Sequence, residues 1–70
     1  MSAPAVEDLA GAHGKLVLFL ASILQRADIL PMGEFSRLLS TFASTVSETE
    51  PGEGRILAAW AQQVDAADSH

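Results

Sequence analysis

Cysteine is missing from this 70-residue chain, and that single zero removes disulfide bridges and thiolate metal sites together. Histidine is nearly as scarce, with only His13 and His70, too few for an imidazole metal cluster. Tyrosine is absent, Trp60 is the one tryptophan, and four basic residues face nine acidic ones. A chain that neutralises phosphates needs clustered Lys and Arg, so nucleic acid and anionic membranes are both disfavoured as partners. Long apolar runs are lacking as well. The longest, 16–24, covers nine residues with Ser22 inside it, less than half of the roughly 20 that a spanning helix needs. The stretch before it carries Glu7 and Asp8 rather than a basic cluster, which argues against a cleaved signal peptide and for a cytoplasmic protein.

What is present is 49% hydrophobic residues and a net charge of −5, enough for one small domain spanning 1–70. A domain of this size buries only about 60% of the surface its unfolded chain exposes. With disulfide and metal both excluded, a second copy of the chain is the remaining supplement. The acid excess is uneven: residues 1–28 carry −1, 29–47 carry zero and 48–70 carry −4. Such an acidic stretch reads first as a solvated face.

Helical periodicity dominates. Apolar residues at three-and-four spacing from Val6 to Ala27 predict a first helix over 5–27, with Glu7 and Asp8 placed to favour the positive end of its dipole. Gly11 and Gly14 weaken its early turns by about 1 kcal/mol each relative to alanine, so fraying is expected before Lys15. Leu30 precedes Pro31 and is pushed out of helical geometry, and a second helix is expected over 32–47. The Pro-Gly segment after Ser47 is the second boundary; Thr49 or Glu50 as cap and Pro51 near the first helical position start a third helix over 52–66. Residues 67–70 read as a frayed tail. The expected fold class is therefore all-α, a small three-helix protomer built as a helical hairpin plus a short third helix.

The candidate core is Leu20 and Leu24 of the first helix, Phe35, Leu38, Leu39, Phe42 and Val46 of the second, and Ile56, Leu57, Trp60 and Val64 of the third. The second and third helices each carry an apolar arc of about 140°, normal for one-sided burial, whereas that of the first covers about 200°, with Leu18 alone on the far side. Two short helices cover part of such a surface and a second chain covers the rest. The predicted assembly is a symmetric homodimer, with Leu16, Leu18, Phe19 and Ile23 as the candidate interface and another protein as the alternative partner. Ser36, Ser40, Ser44 and Ser47 form a hydroxyl strip that suits either solvent or close contact, and Gly54 has the character of a residue that lets a neighbouring helix approach closely.

Chemistry is sparse. His13 falls on the apolar side beside Leu9, Leu20 and Leu24, a place for a core or boundary imidazole rather than a general base, because no nucleophile or orienting acid is fixed near it. Glu48, Glu50 and Glu53 lack the alternating ligands of a calcium loop, and no lysine follows Gly52 and Gly54 as a phosphate cradle requires. No catalytic, cofactor-binding or metal residue is assigned and no cofactor is implied. The expected function is a non-catalytic protein-protein interaction module or regulator. A helix-turn-helix DNA-binding regulator is the alternative, opposed by the acids around Arg55, Gln62 and Gln63.

Overall fold

A computed structural model describes residues 5–68, and among these the chain forms α1 (Val6–Arg26), α2 (Met32–Ser47) and α3 (Pro51–Asp68), with no strand. The protein is all-α. Helix α1 runs through Gly11 and Gly14 without interruption, although glycine propensity alone favours fraying there. Gly14 lies directly against Trp60 and Gln63 of α3, and tertiary contact of this kind overrides propensity. Helix α3 continues to Asp68, past the expected fade at 66; the remainder of the expected tail lies outside the described residues.

Each turn is closed by backbone geometry. After α1, Asp28 takes a left-handed conformation with φ 58°; its N–H donates to the Gln25 carbonyl at 3.1 Å and the Ile29 N–H reaches back to the Leu24 carbonyl at 3.0 Å. That pair of bonds is a Schellman ending, with aspartate in the place glycine usually occupies. Gln25 Oε1 then accepts the Met32 N–H at 2.8 Å, so α1 supplies a partner for a free donor at the start of α2. Between α2 and α3, Glu50 is the cap through its carbonyl, which accepts the Gly54 N–H at 2.9 Å. The Thr49 hydroxyl instead donates backward to the Val46 carbonyl.

Helices α2 and α3 are antiparallel: Gly33 at the start of α2 meets Asp68 at the end of α3, and Ser47 meets Gly54 at the other end. Their seam is made of small residues. Ser36, Ala43, Gly54 and Ala61 are all buried, and the Ser36 and Ser47 hydroxyls donate to the Gly33 and Ala43 carbonyls of their own helix, each at 2.9 Å. With the hydroxyls satisfied in this way, the strip can be shut against α3 without an unpaired donor. Ser40 borders the seam but is exposed, and Ser44 is exposed with its neighbour Thr45.

Helix α1 runs parallel to α3 and reaches α2 only near its start. Val17, Leu18 and Ala21 gather with Met32, Phe35, Val64 and Ala67 into a core cluster where all three helices meet. Several residues expected in that core are elsewhere. Leu20, Leu38, Phe42 and Ile56 are exposed and Leu24, Leu39, Val46, Leu57 and Trp60 are half-buried; of the expected core, Val64 is fully enclosed and Phe35 packs against it half-buried. Leu18, expected to stand alone on the outside, is half-buried against the core cluster. Outside that junction, contact is made through small residues, Ser36, Ala43, Gly54 and Ala61 along the α2–α3 seam and Gly14 of α1 against Trp60, and most of the large side chains flank it or face outward.

The resulting shape is broad and thin, with principal extents of 38 × 34 × 19 Å and a radius of gyration of 12.9 Å, against about 11 Å for a rounded domain of this length. The surface is 5160 Å², roughly 950 Å² more than the scaling for a folded monomer of this mass gives.

Candidate functional site

With Gly14 set at zero and about 100° per residue, Leu18, Gly14, Ala21, Ala10 and Val17 fall within an arc of about 100°. This is the side of α1 turned to α2 and α3. On the opposite side a second arc of similar width holds Phe19, Ile23, Leu16, Leu9 and Leu20. These five side chains keep between 42% and 59% of their surface open, so α1 has two apolar sides and the chain covers only one. Leu9, Leu16 and Ile23 repeat every seventh residue along the open side, the spacing of a helix-pairing seam. Three of the four residues expected at an interface, Leu16, Phe19 and Ile23, therefore share this face; Leu18 is on the other one. Leu9 and Leu20 join it, and their signal in the sequence is the same heptad spacing, hidden when Leu20 is assigned to the core.

The two flanks of that face differ. On one, Asp8, Lys15 and Arg26 follow one another along the helix, and Asp8 and Arg26 are eighteen residues apart, five whole turns at 3.6 per turn. On the other stands His13, exposed rather than enclosed, with its ring edge-on to Trp60 at 6.2 Å between centroids and 81° between planes. An edge-to-face pair of this kind contributes about 0.5–1.5 kcal/mol beyond burial. Beside it the first half of α1 and the first half of α3 splay apart around an open groove of about 320 Å³ lined by Val6, Leu9, His13, Ile56, Leu57 and Trp60. A second, more polar groove follows the α2–α3 seam past Ser36, Arg37, Ser40 and Asp65.

Polar chemistry is not concentrated in either groove. Among the described residues no three His, Asp or Glu side chains come together in a way that could hold a metal ion, and no helix is long and apolar enough to cross a membrane. Arg37 pairs with Glu34 one turn away on the surface of α2, an exposed i,i+3 pair of the kind that contributes little. Glu48, Glu50 and Glu53 are exposed around the start of α3, where negative charge suits the helix dipole.

Gly14 lies where α1 comes against the Trp60 and Gln63 side chains of α3. A Cβ there would lie 3.0 Å from Trp60 Nε1 and 3.2 Å from Gln63 Oε1, both on side chains bordered by open space. Gly14→Ala is expected to displace the indole while changing stability by less than about 1 kcal/mol, since alanine's helix propensity offsets the crowding. A shifted tryptophan emission maximum at nearly constant melting temperature is the result to look for.

The chain matches no family model, no curated protein and no solved structure.

Proposed function

We propose that this protein is a non-catalytic helical interaction module that self-associates through the outer face of α1. The observation that carries the reading is the second apolar arc of Leu9, Leu16, Phe19, Leu20 and Ile23, open to water on a helix whose other side already meets its own chain. Contiguous apolar surface of this kind marks an association site in a soluble protein. The small core supports the same reading, because its buried hydrophobic residues are Ala21, Met32, Ala43, Ala61 and Val64, and none of the leucines is fully enclosed. A second copy would enclose what the monomer leaves wet.

Sedimentation equilibrium over about a hundredfold concentration range, with thermal melts at the same concentrations, tests this directly. The expected result is a dimer whose melting temperature climbs with concentration. Replacing Leu16 and Ile23 together by glutamate should yield a monomer that keeps its helical circular dichroism but melts lower, because buried like charges oppose pairing. A wild-type chain of monomer mass at every concentration would remove self-association from the reading.

A further inference from the structure

We infer that the partner at the α1 face is a second copy lying antiparallel, with the two-fold axis close to Leu16 and Val17; this rests on the self-association proposed above. The charges on the flank select the direction. Asp8 in the first turn and Arg26 in the last turn of α1 sit at one angular position on the helix. In an antiparallel pair the same flanks meet, so Asp8 of each copy comes level with Arg26 of the other and two ion pairs bracket the seam. A parallel pair sends these flanks to opposite sides and leaves Asp8 and Arg26 about 27 Å apart along the axis, while both acidic first turns gather at one end. The two dipoles also oppose one another only in the antiparallel arrangement.

The apolar residues agree with the same axis. Leu9 comes beside the region of Ile23 and Leu24 of the other copy, and Leu16 lies near its own equivalent, so the heptad positions meet reciprocally as an isologous contact requires. On the opposite flank Leu20 of each copy is brought towards His13, at the margin of the groove beside Trp60. Lys15 is the charged group nearest the axis; it leaves the seam sideways, and its long stem lets the two ammonium groups diverge into water.

Because the chain has no cysteine, Glu7→Cys provides a single site for a nitroxide label, on a residue that is exposed. Dipolar distance measurement then reads direction, with sedimentation of the same labelled sample reporting mass. Glu7 lies on the side of α1 away from the seam, so in either arrangement the labels are about 25 Å apart crosswise; antiparallel pairing about Leu16 and Val17 adds about 28 Å along the axis at 1.5 Å per residue and brings the separation to about 37 Å. A dimer with labels beyond about 32 Å supports the inference. A dimer with shorter distances overturns it and leaves self-association standing. A monomer without dipolar coupling overturns both and assigns the open face to some other occupant.

Discussion

Gly54→Ala lowers the melting temperature of the protein by on the order of 10 °C, although alanine is the better helix former. The added Cβ would lie 2.8 Å from the Ser47 Cα and 2.7 Å from its Cβ. Real Cβ atoms do not approach backbone so closely, and the obstacle is not a flexible tip that can turn aside. Helices α2 and α3 must separate, which withdraws buried Ala43 and Ala61 from close contact; overpacking of this kind costs about 1–3 kcal/mol, and backbone opposition places it at the upper end. Alanine returns about 1 kcal/mol of helix propensity, leaving a net loss of about 2 kcal/mol, or 4–8 °C for each kcal/mol in a domain of this length. Gly11→Ala supplies the contrast: nothing lies within 4 Å of its Cβ, so the same chemical change there raises the melting temperature by a few degrees. The two variants should move in opposite directions in one set of calorimetric scans. Equal shifts would mean that helix propensity, and not close approach at Ser47, governs position 54. Ser47→Ala is not expected to rescue Gly54→Ala, because the Cα and Cβ that obstruct it remain.

The larger loss comes at Val64. Its side chain is 0% exposed and stands among Val17, Leu18 and Ala21 of α1, Met32 and Phe35 of α2, and Ala67 of its own helix. Val64→Ala removes two methyl groups from that junction, at about 0.8 kcal/mol each for transfer with a further contribution from the void, or about 2 kcal/mol in all. Val64→Asp puts a charge where no cationic side chain belongs to the cluster, and a buried charge without a partner costs several kcal/mol. Total stability for a chain of this length is only about 4–10 kcal/mol, so Val64→Asp should have no cooperative melt above room temperature. The near-ultraviolet circular dichroism of Trp60 is the convenient readout, since that indole is fixed by α1 contacts at Gly14 and His13. A Val64→Asp protein with the wild-type transition would show that the meeting point of the helices contributes little, and that the α2–α3 seam alone holds the chain together.

The contrast between these two sites and the outer face of α1 shows how far the residues alone could be read. Helices α2 and α3 start where proline and the polar turn segment place their limits, because those signals act within a few residues and need no tertiary partner; the glycines set none, since all five lie inside helices. Pro31 stands just before α2 and Pro51 opens α3, as their fixed φ and missing N–H dictate. The turn after α1 is less legible. Asp28 in a left-handed conformation satisfies the same carbonyls a glycine ending would, but aspartate adopts that geometry too seldom to announce it.

Which side of each helix is inside is another matter. Size-weighted periodicity points to Leu20, Leu38, Phe42 and Ile56, and all four are exposed; the sides that meet within the chain carry Gly14, Ala21, Ser36, Ala43, Gly54 and Ala61. Small residues give up hydrophobic area and gain close backbone approach. Whether that exchange is favourable depends on the shape of the opposing helix, which no single helix encodes. The wide apolar arc of α1 is legible as a surplus, and Leu16, Phe19 and Ile23 are legible as part of it. Leu18 is not, because its place near Gly14 and Ala21 counts as outside until α3 is known to lie against those small residues.

The residues by themselves determined the all-α class, the three helices and the proline-marked starts of α2 and α3, since these follow from local backbone preferences and periodicity. Only the tertiary structure decided that the helices meet through alanine, glycine and serine and that the large side chains of α1 remain open, because burial is a property of pairs of surfaces and is settled by how closely two backbones can approach.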